Sequence, residues 1–449
     1  MKSEKIYDIA GVGIGPFNLG LAALLHPIKK LKCIFFDQSP EFQWHPGMMI
    51  DGARLQVPYY ADLVTMMDPR SPFTYPNFLH EQKDPFQFAI AEEYYPLRKE
   101  YNEYCRWVSS KLDNLFFGMH CESVRYLRSK KIYTILVREI RSGSKFTYHA
   151  RNLVIGVGSV PHVPECALPF MGDRVMHSGN YLYNKEKILG SPAVTIVGSG
   201  QSAAEIFNDL LQEPQCFDQL HWITRSERLF PMDVNPFALE MTSPDWIDFF
   251  YSLSPQIKLK LLSRQDALFK GISFQLLTEI HDNLGTCRLE HPLKKVDCAT
   301  ASELKRLRQF EDGRLELRLY HSLLEKEWSH FTGAVILATG YSYQFPAFLQ
   351  PVKELIRLDE HGLYEVRRNY SVDHHHSIFV QNAELHTHGF NAPDLAMGPY
   401  RNATIINTIL GEEYYKLPKK IAYQSFGIPS DDTQSILLPA TTSSHNGMQ

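Results

Sequence analysis

Three glycines alternate at Gly11, Gly13 and Gly15, after the apolar run Ile6, Ile9 and Ala10 and before a helical pattern carrying Leu19, Ala22, Ala23 and Leu25. Glycines at a strand-to-helix turn let the backbone approach a pyrophosphate closely, and the helix N-terminus faces its charge. Pro16 suits a first helical position, where a missing N–H costs nothing. The next strand, Lys32 to Phe36, ends in Asp37, an acid placed to accept hydrogen bonds from a ribose hydroxyl. Counted from Gly11, the third glycine of GxGxxG becomes Pro16; counted from Gly13, it becomes Asn18. The motif is degenerate, and the strand, the helix and Asp37 together carry the dinucleotide reading. A second unit is complete: Gly198-Ser199-Gly200-Gln201-Ser202-Ala203 is a full GxGxxA between an apolar strand, Ala193 to Val197, and a helix continuing to Leu211. Its following strand, Leu220 to Thr224, ends in Arg225 rather than an acid. A cation there suits a 2′-phosphate and favours NADPH over NADH. Arg228 either assists or is a solvated surface side chain, and the same alternative stands for Arg225.

Two dinucleotide folds in one chain imply two cofactors, with FAD in the N-terminal site and NADPH in the inserted one, so that a hydride passes from nicotinamide to flavin. The seven cysteines are scattered, odd in number and never spaced CxxC. That argues against a disulfide framework, a zinc site and a dithiol redox pair. A disulfide reductase would need a cysteine pair near residues 40–60, and none is present. A flavin monooxygenase needs no protein thiol, because reduced flavin itself activates O2. The run Asp373-His374-His375-His376 lacks metal-ligand spacing, and no metal is expected.

The expected architecture is α/β, with two Rossmann-like dinucleotide-binding domains and a small helical substrate insertion. At 449 residues the chain exceeds one ordinary core. Residues 1–165 read as the first part of an FAD-binding domain and 166–332 as an NADPH-binding domain, with the insertion at about 235–285. Residues 333–425 read as the second part of the FAD-binding domain, and 426–449 as a polar, disordered tail. Residues 38–80 read as a long functional loop, and the aromatic stretch 85–117 as a helical cover whose rings serve packing. Phe170-Met171-Gly172 and His177-Ser178 mark a connection between domains. A net charge of −4 gives no footprint for nucleic acid. No apolar stretch is long enough for a bilayer, and the N-terminus lacks the features of a signal peptide, so a cytoplasmic protein without membrane partners is expected.

Further motifs give the chain a resemblance. Gly13-Ile14-Gly15-Pro16-Phe17-Asn18-Leu19, Trp44-His45-Pro46-Gly47-Met48, Leu55-Gln56, Asp68-Pro69-Arg70-Ser71-Pro72-Phe73-Thr74, Ala338-Thr339-Gly340-Tyr341 and Thr387-His388-Gly389 resemble the siderophore-type N-hydroxylating flavin monooxygenases. These are the lysine and ornithine N-monooxygenases and their diamine-acting relatives. The resemblance runs from about residue 6 to 415; Gly333 stands where an acid often precedes ATGY. It implies that NADPH reduces the flavin, that O2 then forms a C4a-hydroperoxide sheltered by NADP⁺, and that a neutral primary amine attacks its distal oxygen. It also implies that Gln56 lies beside the flavin ring as the catalytic-site residue and Met48 near it. Trp44, His45, Thr339, Gly340, Tyr341 and Leu395 would contact cofactor, and Arg225 would hold NADPH. Relatives are usually tetramers or dimers, so a homo-oligomer is expected.

The substrate reading rests on departures. Relatives acting on ornithine or lysine carry a lysine in a segment like FLKDL, where its ammonium binds the substrate carboxylate. Here the segment is Tyr59-Tyr60-Ala61-Asp62-Leu63, without that cation. Asparagines of the family fall at Leu239 and, by a looser match, Leu268. An unpaired buried carboxylate costs several kcal/mol, so a substrate without one fits better: putrescine, cadaverine or 1,3-diaminopropane. Asp62, Glu240 and Asp394 are candidates for its far ammonium. The alternatives are an L-lysine N6- or L-ornithine N5-monooxygenase with a rearranged head-group site, and a non-catalytic FAD-binding redox protein. An intact GxGxxA with Arg225 speaks against the last.

Overall fold

The Ile6–Val12 strand is apolar because it lies mid-sheet, pairing in parallel with Cys33–Phe36 on one side and Lys145–Ile155 on the other. Leu115–Phe116 extends the sheet beyond Cys33–Phe36, and Ile378–Val380 adds a parallel strand on the far side of Leu153–Ile155. Ile132–Glu139 and Met119–Leu127 continue it as an antiparallel pair. The computed structural model describes residues 5–428. A second, wholly parallel sheet runs Lys295–Ala299, Gln219–Ile223, Ala193–Val197, Ala334–Leu337, Val175–His177. The chain passes between the two sheets twice, and the crossing segments Val160–Pro161 and Tyr341–Ser342 pair antiparallel. The result is the α/β fold expected, with two parallel nucleotide-type sheets.

Each sheet is covered on its apolar faces. Phe35, Leu19, Tyr104 and Ile405 belong to one core cluster. Ile196, Phe207, Trp222 and Ile336 belong to another. Trp222 also donates its indole N–H to the Gly198 carbonyl at 2.7 Å, so a core side chain fixes the second glycine turn. Of the aromatics read as packing, Tyr101, Tyr104 and Trp107 are buried and pair with one another and with Tyr75 and Phe78 at 5.3–6.2 Å, whereas Phe86, Tyr94 and Tyr95 are exposed.

The insertion is helical as expected. Ser243 caps Pro244–Ser252 and Ser273 caps Phe274–Glu290, each hydroxyl accepting a backbone N–H three residues on, which satisfies an orphan donor of the first turn. Two elements escape the periodicity reading. Tyr75–Gln82 is a helix inside the stretch expected as loop, because Thr74 caps it and Pro76 falls in its first turn. An antiparallel sheet of Ser302–Gln309, Leu315–His321 and Lys326–Thr332 flanks the second parallel sheet. Of the stretch 426–449, residues 429–449 lie outside the described residues; Phe426 packs edge-on against Trp246 at 5.0 Å. No helix among the described residues is long and apolar enough to cross a membrane.

Candidate active site

The first glycine turn is packed closely at two of its glycines and open at the third. A Cβ on Gly11 would strike the Phe35 ring, and one on Gly13, whose φ is +87°, would lie 2.3 Å from the Gly156 carbonyl oxygen. A Cβ on Gly15 would meet nothing within 4 Å. Gly15 is the N-cap of Pro16–Leu25, and no side chain caps that helix. Open space before an uncapped helix end is what a pyrophosphate requires. The Asp37 carboxylate accepts the Ile14 N–H at 2.6 Å and the Ser39 N–H at 2.7 Å. It thus braces the turn with two of its roughly four lone-pair sites and keeps the rest for a ribose. Beside the same helix start, a small crevice is lined by Pro16, Phe17, Leu395 and Asn402, among others. The Asn402 amide donates to the Phe17 carbonyl at 3.0 Å while its Oδ1 is buried with no partner. These features fit FAD.

The second turn repeats the design. A Cβ on Gly198 would lie 2.2 Å from the Ala338 carbonyl oxygen. Gly200 is the N-cap of Gln201–Leu211, again without a side-chain cap, and Ser202 is the second residue of that helix. Arg225 and Arg228 stand exposed just past the Gln219–Ile223 strand, neither with an ion pair or side-chain hydrogen bond among the described residues. Two unpartnered guanidinium groups near an uncapped helix start fit the 2′-phosphate and pyrophosphate of NADPH.

Between the turns lies a ring of residues from both sheets. His45 is left-handed, φ 50° and ψ 54°, an uncommon state for a non-glycine residue. Its exposed ring lies 5.9 Å from Tyr341 and 5.4 Å from Trp44. The protein around it and the Arg98 guanidinium push its pKa down to about 4, so it is neutral at neutral pH. His177 donates from Nε2 to the Gly340 carbonyl at 2.9 Å and accepts the Gly179 N–H on Nδ1; burial lowers its pKa. The Thr339 hydroxyl donates to the His162 carbonyl at 2.5 Å. Thus Thr339, Gly340 and Tyr341 sit where the chain crosses between sheets, next to His45.

Gln56 is brought to the second unit. Its Nε2 donates to the Gly271 carbonyl at 3.0 Å and to Gln201 Oε1 at 3.3 Å. The Met48 side chain is buried in the core of the second unit, while its carbonyl accepts from Arg98 at 2.8 Å. Residues 98 and 205 were not singled out from sequence, yet they join here. The Arg98 guanidinium grips the Glu205 carboxylate at 2.7 and 2.9 Å.

The substrate candidates separate. Ala61 is 2 % exposed, so its methyl faces protein rather than open space, whereas Leu239 is half exposed on the short turn Pro236–Leu239. Leu268 joins an apolar group with Trp246, Phe250 and Phe390. Asp62 has no capacity left for a ligand: its carboxylate accepts from Val64 N, Thr65 N, Thr65 Oγ1 and Tyr75 N at 2.6–2.9 Å. Glu240 accepts the backbone N–H groups of Tyr423 and Gln424, both at 3.0 Å. Asp62 is thus structural, which corrects its candidacy for an ammonium, while Glu240 has two of its roughly four lone-pair sites engaged. Asp394 is half-buried, accepts the Ala396 N–H at 2.7 Å, and has its pKa raised by burial.

The family model described as L-lysine 6-monooxygenase/L-ornithine 5-monooxygenase matches residues 5–343. A putrescine N-hydroxylase of Shewanella oneidensis is 43% identical over 99% of this chain and 89% of its own length. An L-lysine N6-monooxygenase of Escherichia coli is 29% identical over 92% of this chain and 97% of its own. The crystal structure of an FAD-bound cadaverine monooxygenase of the desferrioxamine pathway of Erwinia amylovora superposes with a TM-score of 0.93 at 42% identity, covering 95% of this chain and 100% of that one.

Proposed function

The chain belongs to the L-lysine 6-monooxygenase/L-ornithine 5-monooxygenase family, FAD- and NADPH-dependent enzymes that N-hydroxylate an amine in siderophore biosynthesis, and from that premise we propose that its substrate is an aliphatic diamine: putrescine, cadaverine or 1,3-diaminopropane. The observation that carries this reading is one of sequence: Ala61, Leu239 and Leu268 stand where amino-acid-acting members place a lysine and asparagines, and none of the three can pair with a carboxylate. A substrate carboxylate brought there would lose its water without gaining a cation, a cost of several kcal/mol. A diamine brings no carboxylate. Support also comes from similarity: the relatives named for putrescine and cadaverine are 43% and 42% identical, the lysine enzyme 29%.

FAD, reduced by NADPH, supplies the oxygen chemistry when bound. The protein's tasks are to hold both dinucleotides, exclude water and present one amine uncharged. A free alkylamine has a pKa near 10.4, and an apolar wall such as Trp246, Phe250, Phe390 and Leu268 disfavours its ammonium form. Asp394 holds the distal ammonium in this reading, since Asp62 is consumed by three backbone N–H groups and the Thr65 hydroxyl and Glu240 ties down the backbone of Tyr423 and Gln424. Gln56 and His45 serve as uncharged neighbours of the cofactors. A neutral His45 adds no acid to a site in which the attacking amine must stay deprotonated.

The test is an incubation of the flavin-loaded protein with NADPH, O2 and a panel of diamines and amino acids, with hydroxylamine product identified by mass and peroxide measured separately. Product from a diamine is expected. Product from lysine or ornithine with none from any diamine would overturn the substrate assignment, and peroxide alone with every amine would overturn the hydroxylase reading.

A further inference from the structure

Arg98 begins the helix Arg98–Ser110, which packs with the first sheet, and Glu205 lies one turn into Gln201–Leu211 of the second. Their contact is bidentate, Nη2 to Oε1 at 2.7 Å and Nη1 to Oε2 at 2.9 Å. Only 14% of the arginine and 3% of the glutamate side chain is exposed. Two charges withdrawn from water this far gain little net stability from each other, but their planar geometry accepts one arrangement. The bonds continue from both ends. Arg98 Nη1 also donates to the Met48 carbonyl at 2.8 Å. Glu205 Oε1 also accepts from Gln201 Nε2 at 3.0 Å. Gln201 Oε1 in turn accepts the Ser273 N–H at 2.9 Å and the Gln56 Nε2–H at 3.3 Å. One connected network therefore reaches from the loops of the flavin-binding unit to the residue after Gly200 and to the cap of the insertion helix. Gly47 adds steric register nearby: a Cβ there would lie 1.9 Å from the Gly179 carbonyl oxygen.

We propose that Arg98 and Glu205 are positioning residues, a buried latch that holds the nicotinamide-binding unit at one angle against the flavin-binding unit. The proposal rests on the reading of the two units as FAD and NADPH sites. NADPH must place its hydride donor against the flavin, become NADP⁺, and remain in register while the flavin works; a junction free to tilt would spoil both steps. Neither side chain touches the reacting atoms. They act through Gln201 and Gln56, and through the loop that carries His45 and Met48.

The decisive variant is R98M/E205M, which removes both charges and leaves two side chains that fill similar space, so that folding is preserved. E205Q and R98K accompany it, and Arg128→Gln, which breaks an exposed pair with Glu354, is the control. Three readouts are taken on the flavin-loaded protein: anaerobic bleaching of the flavin by NADPH, hydroxylated product per NADPH consumed, and the distance distribution between spin labels at Glu311→Cys and Glu360→Cys in a Cys298→Ser background. The double variant is expected to melt close to wild type. Its flavin is expected to bleach roughly ten- to a hundred-fold more slowly at saturating NADPH, with less product per NADPH and a broadened distance distribution. R98K, which keeps the charge and loses the bidentate fork, is expected to fall between. A double variant with wild-type bleaching, coupling and distance distribution would overturn the latch. A wild-type protein that NADPH does not bleach would instead overturn the cofactor reading, and the distance measurement would still decide the latch.

Discussion

Replacing Gly15 with alanine separates cofactor binding from folding. The new methyl enters open space, since nothing lies within 4 Å of it, and the backbone there has φ −76°, a value any L-residue adopts. The apoprotein is therefore expected to keep its melting temperature. The same methyl occupies the approach to the uncapped N-terminus of Pro16–Leu25, where the FAD pyrophosphate would accept backbone N–H groups. A hydrogen bond to a charged group contributes about 1.5–3 kcal/mol. Displacing the phosphate from one such donor costs about 2 kcal/mol, and from two about 4, which is roughly a thirty- to a thousand-fold loss of affinity. The assay is titration of deflavinated protein with FAD, followed by flavin fluorescence, beside thermal melts of the apoprotein. Gly13→Ala is the contrast. Its φ of +87° and the Gly156 carbonyl oxygen, 2.3 Å from where the methyl would stand, tax the fold itself, by at least about 1–2 kcal/mol from the backbone alone. If Gly15→Ala binds FAD as tightly as wild type, the phosphate does not lie against this turn and the reading of the site is refuted.

Arg225→Ala is expected to leave stability unchanged, because the side chain has no partner to lose among the described residues, and to raise KM for NADPH about ten- to a hundred-fold while sparing NADH; equal effects on both, measured by steady-state oxidation, would contradict the 2′-phosphate assignment. Ala61→Lys is expected not to improve diamine turnover, since it adds a buried cation opposite a cationic substrate; a gain in kcat/KM would count against that placement. Stability should decline as pH falls from about 6.5 toward 4. Burial and the neighbouring His221 push the His330 pKa down to about 4, so over that window the unfolded chain binds a proton that the folded chain refuses. The ceiling is about 3 kcal/mol. Asp297 faces the same pair, its Oδ1 at 2.6 Å from His221, and its pKa is lowered, so it adds a loss in the same direction at more acid pH. Urea midpoints at pH 7.5 and 5 should differ in wild type and differ less in His330→Gln, where the lowered pKa values of His45 and His177 remain.

What was legible in the sequence was local. Ala193 to Val197 reads as a strand and is one, because four apolar residues around Thr195 end in a glycine turn that leads into a helix. The glycine turns, Asp37, Arg225 and the helical insertion were visible for the same reason: turn chemistry and periodicity are written in neighbouring residues. Tyr75–Gln82 was hidden by two prolines, which signal a loop unless one falls in a first helical turn. The flanking sheet was hidden because its outer strands alternate weakly: Lys326–Thr332 is mostly exposed. The Arg98–Glu205 contact was invisible in principle, since two charged residues 107 positions apart carry no mark of their pairing. Asp62 misled for a related reason: an acid beside a suspected site looks available until the N–H and O–H groups that fill it are seen.

The engagement of Asp62 bears on how the site tells substrates apart, and so do the atoms left without partners. Arg401 is 2 % exposed, pairs with buried Glu384 through one Nη1, and leaves Nε and Nη2 unpartnered while its cation lies 4.3 Å from the Phe17 ring centroid. Gln381 Oε1 and Asn402 Oδ1 are likewise buried and unpartnered. Gln381 donates to Asn18 at 2.7 Å and Asn402 donates to Phe17, so all three side chains attach to the first residues of the helix that would face FAD. An unmet buried polar atom costs about 1–3 kcal/mol, and a fold does not gather several behind one turn without a use for them. On the dinucleotide side, then, polarity is in surplus and awaits a polar ligand. Around Leu268 and Phe390 apolar rings gather, with Trp246 Nε1, Gln265 Oε1 and Asn391 Oδ1 also buried and unpartnered there. Polar groups gathered at one helix start are consistent with a large anionic dinucleotide, and the apolar rings around Trp246 with a small diamine that must shed a proton before it reacts.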